Sequence, residues 1–284
     1  MRLHRPRAAR EKVVACLGRR STSRCATSSG VVVLQKNETT RLAPPPPLDV
    51  GGHALFLDLD GTLVDFAAHP EQVVASEELR LLLANVAREM HGAVALVTGR
   101  TIASADAVLD GALVHVAGIH GLERRDAQSV ERALDDRAPI EAALTDARVL
   151  IAKHALQADI EDKGLALALH YRRAPEFADA TRRAAADIAH RHGLSILEGK
   201  MVVELKLGQR TKADAVADFM ASPPFANRKP IAIGDDITDE DAFRAVANLG
   251  GHSVLVGEER QTAARFHLPD TRAVFTWLEA GLKS

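Results

Sequence analysis

Asp58 and Asp60 stand one residue apart in the string Asp58-Leu59-Asp60-Gly61-Thr62-Leu63, directly after a short apolar run. Two carboxylates aimed at one place repel, and one pKa rises unless a cation intervenes. Mg²⁺ takes ligands of this kind, one or two carboxylates completed by water and substrate phosphate. A carboxylate can also attack phosphorus and become an aspartyl-phosphate, the role expected of Asp58. The second, Asp60, can protonate the leaving oxygen and later take a proton from water. Gly61 allows close backbone approach to a phosphate. An ordinary Asp-Gly turn after a strand is the alternative, and it accounts for less of the six-residue string.

Three further groups fit the same chemistry. In Thr98-Gly99-Arg100 a hydroxyl and backbone N–H groups can hold phosphate oxygens. Lys212 follows a Gly208 turn and opens a helix; its charge can offset the nucleophile and the phosphoryl group. Gly234-Asp235-Asp236-Ile237-Thr238-Asp239-Glu240 puts four acids within six residues, a source for a further metal ligand at Asp235. Acids here also suit the first turn of a helix, where the dipole favours them.

Each group ends a predicted strand or opens a helix. Apolar runs at His53–Leu57, Ala93–Val97, Leu113–Ala117, Pro230–Ile233 and Ser253–Val256 alternate with helical periodicity at Ser76–Met90 and Ile102–Leu109. Strands alternating with helices predict an α/β fold with a parallel sheet covered on both faces. Ligands bind beyond the carboxyl ends of such strands, where Asp58, Asp60, Thr98 and Asp235 fall. The middle of the chain differs. Helical patterns at Ala138–Gln157 and Glu176–Arg191 accompany alternating runs at Leu165–Tyr171, Ser195–Leu197 and Met201–Lys206. This predicts an α+β cap over residues 125–205, inserted into an α/β core of residues 48–124 and 206–284. A cap over the strand ends would exclude water from the acidic cluster.

Composition narrows the class. The chain has 284 residues, 46% hydrophobic and 26% charged, which excludes wholesale disorder and allows two domains. No apolar run reaches membrane-helix length. A net charge of −2 and 4% aromatic residues give no footing for nucleic acid. Cys16 and Cys25 are too few for a disulfide framework or a cysteine-based zinc site. Residues 1–47 carry ten Lys/Arg against Glu11 and Glu38 and end in four prolines, so a disordered basic extension with a stiff linker is expected. The apolar stretch after the early charges, Val31-Val32-Val33-Leu34, is too short for a signal's apolar region, so a secretory signal is not expected.

The order of these motifs resembles the haloacid dehalogenase superfamily of Mg²⁺-dependent phosphatases, over about residues 53–260. The resemblance implies a Rossmann-like core with the cap between the second and third motifs. It implies Asp58 as nucleophile, Asp60 as acid and base, and Gly61, Thr98 and Lys212 as phosphate contacts. It also implies Asp58, Asp60 (through its backbone oxygen) and Asp235 as metal ligands, with Asp236 and Asp239 supporting the metal or the lysine. Ala117–Arg124 (AGIHGLER), Gly234–Glu240 (GDDITDE), Glu161–Gly164, His170–Arg172 and Gly199–Glu204 are similar to segments of trehalose-6-phosphate phosphatases. That likeness implies substrate contacts from Arg100, His120, Glu123, Glu161, Lys163, Lys200 and Glu204. Charged partners suit a substrate rich in hydroxyls. One departure is Ala213, where the family usually has Gly after the lysine. The expectation is a Mg²⁺-dependent phosphatase of trehalose 6-phosphate, monomeric and cytoplasmic, binding a small sugar phosphate and neither nucleic acid nor membrane. A phosphatase for a sucrose- or mannosyl-type phosphate is the near alternative, and a non-catalytic binding domain of the same fold the remote one.

Overall fold

The computed structural model describes residues 41–283 except 68–69, 135 and 154–155. The basic stretch over residues 1–40, with both cysteines, lies outside the described residues.

Strand β1 (His53–Leu57) is flanked by β2 (Val94–Val97) on one side and β10 (Lys229–Gly234) on the other, both parallel to it. Beyond β2 lies β3 (His115–Gly118); beyond β10 come β11 (His252–Val256) and β12 (Phe266–Leu268), again parallel. Alternation along β1 divides its side chains between two apolar layers. Leu55 and Leu57 pack with α1 (Glu77–Glu89), α2 (Ile102–Leu109) and α7 (Thr271–Gly281), against Leu83, Val86, Val108, Val274 and Leu278. Ala54 and Phe56 face α5 (Lys212–Met220) and α6 (Glu240–Asn248), against Val216, Phe219, Phe243 and Val246. Continuous apolar strands are what a sheet covered on both faces requires.

The large sheet continues past the boundary expected for the cap. β4 (Glu123–Arg125) adds antiparallel to β3 and β5 (Val130–Arg132) antiparallel to β4, making eight strands in the order β12-β11-β10-β1-β2-β3-β4-β5. Residues 125–132 thus belong to the core sheet. These strands are short and rich in Glu and Arg, so they carry no apolar signal; backbone pairing with β3 extends the sheet.

The second sheet is the cap, ordered β6-β7-β9-β8 and wholly antiparallel. Its strands are β6 (Asp159–Asp162), β7 (Ala166–His170), β8 (Ser195–Gly199) and β9 (Val202–Lys206). Helices α3 (Ala138–Lys153) and α4 (Ala178–His192) cover one face, with Ile140, Ala143, Ala185 and Ile188 packed on Leu167, Leu169, Val203 and Leu205. The other face points to the strand ends of the core. Across it run Glu161, Ala168, Glu204 and Leu197, one residue per strand in register. The small Ala168 separates the two glutamates and leaves room between them.

The proline segment is a second departure. Pro45 is buried, Trp277 Nε1 donates to the Pro46 carbonyl at 2.8 Å, and His267 N donates to the Ala43 carbonyl at 3.0 Å. Residues 43–48 are therefore packed against the body, with Leu48 in the core. Proline lacks an N–H, but its carbonyl still accepts.

Candidate active site

Asp58 lies one residue beyond β1, and its N–H donates to the Ile233 carbonyl at 2.9 Å, so the strand ladder fixes the residue's direction. Its carboxylate is buried. Lys212 Nζ, at the first turn of α5, donates to Asp58 Oδ1 and to Asp239 Oδ1, both at 2.7 Å. Thr211 caps that helix and Asp214 completes a capping box, so the lysine is presented from a well-formed helix start. Ala213 sits within this first turn, its N–H donating to Thr211 Oγ1 at 3.2 Å, and the missing glycine leaves the lysine's placement intact. Burial opposes the charge of Lys212, but Asp239 and Asp58 overcome it and raise its pKa. Burial pushes the Asp58 carboxyl well up, opposed by Lys212 and reinforced by Asp239 and Asp235.

Asp235 follows β10. Burial, then Asp239 and Asp236, push its carboxyl up to about 7. Its Oδ1 is buried with no hydrogen-bond partner among the described residues. Asp58, Asp235 and Asp239 bring oxygen atoms within 4.8 Å of one another. Three carboxylates served by a single lysine leave excess negative charge, and the donors are all oxygen, so the residues fit a hard divalent cation such as Mg²⁺. Two glycines make the cluster possible. A Cβ at Gly61, where φ is +80°, would stand 2.4 Å from Asp235 Oδ2; at Gly234 it would stand 2.1 Å from Asp239 Cγ. Gly61 thus makes room for a carboxylate, a demand beyond the phosphate contact expected of it.

Asp60 is not part of that carboxylate cluster. Arg100 Nε and Nη2 donate to its Oδ2 and Oδ1, both at 2.7 Å, in a two-point pair. Arg100 was expected on the substrate; in this structure it positions Asp60. Thr98 is buried after β2, with its hydroxyl accepting from Arg100 N at 3.2 Å. Asp236 caps the turn after β10, and its N–H donates to Asp239 Oδ2 at 3.0 Å. Asp239 holds both Lys212 and this turn.

The cap closes over these groups. Lys163 Nζ donates to the Gly99 carbonyl at 2.9 Å and to Glu204 Oε1 at 2.5 Å. Glu204 Oε2 stands 3.3 Å from His120 Nε2, a charge contact out of line for a hydrogen bond, and has no hydrogen-bond donor among the described residues. Burial works against the Glu204 carboxylate, yet Lys163 and His120 bring its pKa far down. Burial lowers the His120 pKa, with Glu204 opposing. Ile119 and His120 both carry left-handed backbone, with φ of 47° and 55°, which turns the imidazole toward Gly99 and Glu204. Such conformations cost about 1–3 kcal/mol and persist where surroundings impose them. Glu161 Oε2 pairs with His170 Nε2 at 2.8 Å. Lys200 Nζ rests on the Phe66 ring, and its N–H reaches Asp236 Oδ2 at 3.2 Å.

Asp58, Asp60, Thr98, Arg100, His120, Glu161, Lys163, Lys200, Glu204, Lys212, Asp235 and Asp236 border one cavity of about 570 Å³. Glu123 does not. Its Oε2 accepts from Ile102 N at 3.1 Å and its Oε1 lies 3.6 Å from Arg132, so it holds the start of α2. Pairing of β4 with β3 turns this carboxylate to the helix, which corrects its expected place on the substrate. Phe66 borders the cavity without having been singled out in the sequence, a lone aromatic after the Asp motif carrying no local signal, and Arg172, noted only as part of the His170–Arg172 segment, borders it too.

Residues 56–272 match the family model Trehalose-phosphatase. The chain is 42% identical over 219 residues to a probable trehalose-phosphate phosphatase of Sinorhizobium fredii, covering 74% of this chain and 79% of that protein. It is 38% identical over 229 residues to the trehalose-6-phosphate phosphatase of Escherichia coli, covering 80% and 85% respectively. In fold it is similar to the C-terminal domain of C. albicans trehalose-6-phosphate phosphatase, with a TM-score of 0.72 at 20% identity, over 85% of this chain and 99% of that one. With a family model spanning its core and cap and relatives 38–42% identical over most of its length, the chain belongs to the trehalose-phosphatase family.

Proposed function

We propose that the protein hydrolyses trehalose 6-phosphate to trehalose and phosphate through an aspartyl-phosphate at Asp58. The observation that carries this reading is one cavity bounded on the core side by Asp58, Lys212 and Asp235 and on the cap side by Glu161, Lys163 and Glu204.

The free Asp58 oxygen attacks phosphorus while its other oxygen stays bound to Lys212. The bond from phosphorus to the sugar oxygen breaks, and Asp60 delivers a proton to that oxygen. Asp60 must exchange an Arg100 hydrogen bond for the leaving oxygen to do so. Water then attacks the phosphorus of the aspartyl-phosphate, Asp60 takes its proton, and phosphate departs with Asp58 restored. Thr98 and the backbone at Gly61 hold phosphoryl oxygens. Asp58, Asp235 and the Asp60 backbone carbonyl are the residues that would hold Mg²⁺, which when bound supplies positive charge against the phosphoryl oxygens. Asp239 keeps Lys212 in place.

On the cap side, Glu204 Oε2 is a buried acceptor with no hydrogen-bond donor among the described residues, and a sugar hydroxyl would supply one. Glu161 and Lys163 offer an acceptor and a donor at the same wall.

The test is phosphate release from trehalose 6-phosphate by the wild type, by Asp58→Asn, and by the wild type in excess chelator. Removing the nucleophile lowers turnover more than about a thousandfold, and chelation abolishes it reversibly. Near-normal turnover by Asp58→Asn contradicts the mechanism.

A further inference from the structure

Phe66 lies between the Asp motif and α1, on the core. Its side chain packs where a Cβ on Gly61 would touch the ring, 2.6 Å from Cε2, so the ring roofs the mouth of the nucleophile's loop. At 38% exposure it is one of the more exposed large apolar side chains among the described residues. Two cations, both from the cap, sit on it. The Arg172 guanidinium carbon is 5.0 Å from the ring centroid and Lys200 Nζ is 4.8 Å from it.

Each cation also belongs to a second contact across the same gap. Arg172 Nη1 donates to the Ala67 carbonyl at 2.7 Å, and Lys200 N donates to Asp236 Oδ2 at 3.2 Å. The two residues come from neighbouring turns of the cap, after β7 and between β8 and β9, joined by a Tyr171 N–H to Met201 carbonyl bond of 3.1 Å. One core aromatic thus receives two adjacent cap turns.

We propose that Phe66 is a positioning residue: its ring, gripped by Arg172 and Lys200, latches the cap over the cavity and so favours substrates large enough to need the cap. Lys200 then acts through Phe66, in place of the direct sugar contact expected of it. The π-face attracts a cation within about 6 Å and is worth more as water is excluded, so filling the cavity strengthens the latch. This inference rests on the reading that the cap binds the sugar.

The experiment compares Phe66→Leu, which keeps apolar bulk and loses the π-face, with Phe66→Tyr, which keeps the ring. Hydrogen exchange of the free protein is followed by mass spectrometry in peptides covering residues 170–174 and 198–203, where the Lys200 and Tyr171 amides report the latch. Two cation–π contacts of ordinary size correspond to about five- to thirtyfold faster exchange in Phe66→Leu, with wild-type behaviour in Phe66→Tyr. KM for trehalose 6-phosphate should rise by a similar factor in Phe66→Leu, with kcat changing less. Because Phe66→Leu already removes the Arg172 ring contact, the double variant Phe66→Leu with Arg172→Met should fall short of the product of the two single effects, and full multiplication would overturn the coupling of Arg172 to the ring.

Exchange in Phe66→Leu equal to wild type overturns the latch, as does a Phe66→Tyr variant as perturbed as Phe66→Leu. Faster exchange with KM unchanged overturns the role in substrate choice. Faster exchange in a protein whose wild type leaves trehalose 6-phosphate intact upholds the latch and removes the substrate assignment instead.

Discussion

Lys212 touches two carboxylates and Arg100 touches one, and this division separates the two aspartates of the Asp58-Leu59-Asp60 string. Asp58 shares its lysine with Asp239, near Asp235, whereas Asp60 is held by a guanidinium forty residues along the chain. The residues whose places were legible in the sequence were those at an announced element end: Asp58, Thr98 and Asp235 after strands and Lys212 at a helix start. Partners set by long-range packing were not. Nothing in the local sequence ties Arg100 to Asp60 or turns Glu123 toward Ile102, because the first contact depends on β2 lying beside β1 and the second on β3 lying beside β2 with β4 folding back on β3. Glu204 gives a prediction at this scale. Glu204→Gln keeps the side chain's shape and a hydrogen bond to Lys163 but removes the charge. A charge-assisted bond is worth about 1.5–3 kcal/mol and a neutral one about 1. The efficiency on trehalose 6-phosphate relative to a small aryl phosphate should therefore fall about tenfold. An unchanged ratio in steady-state assays would show that Glu204 serves only to pair Lys163.

Among the elements, the buried parallel strands and the helices with clear periodicity were legible to within a few residues, since apolar continuity and helical spacing are local. β6 (Asp-Ile-Glu-Asp) was not, being a polar edge strand defined by its pairing with β7. The amino ends of β1 and β11 lie opposite the catalytic ends and hold a pair of histidines. His53 and His252 stack edge-on with ring centroids 5.7 Å apart, and His252 also meets Phe266. His53 Nδ1 accepts from Asp49 N at 3.0 Å, a bond lost if that nitrogen is protonated. Burial, with His53 and Arg265, lowers the His252 pKa from 6.5 to about 4. A depressed folded-state pKa means the unfolded chain binds the proton first. The stability contribution is therefore complete above pH 6.5 and is lost as pH falls from there toward 4. His252 is only half buried, so the slope should stay below the limit of about 1.4 kcal/mol per pH unit for one proton. Urea unfolding between pH 7.5 and 4.5 should show a shallower loss for His252→Phe than for wild type. Parallel curves would mean that other groups govern the acid limb.

Over the whole molecule, the division into core and cap was readable from the change of pattern near the middle, while its edge was not. Residues 125–132 extend the core sheet, and the proline segment expected to hang free is held by Trp277 and His267. Leu48 packs where a Cβ on Gly281 would lie 2.7 Å from its own Cβ, so the segment fills a space that α7 leaves open. A chain beginning at Asp49 should be less stable than one beginning at Arg41 by about 2–4 kcal/mol, the range for emptying a buried leucine site. Equal urea midpoints would show that the body closes over the gap.

The central claim is that core and cap together form a phosphatase for a phosphorylated disaccharide. Its most direct test is kcat/KM for phosphate release, measured with Mg²⁺ on trehalose 6-phosphate, sucrose 6-phosphate, glucose 6-phosphate and an aryl phosphate. The acceptors at Glu161 and Glu204 and the donor at Lys163 predict trehalose 6-phosphate first, by at least about tenfold over the monosaccharide, the worth of one good polar contact. A sucrose or glucose ester cleaved as well as trehalose 6-phosphate, or better, would contradict the account.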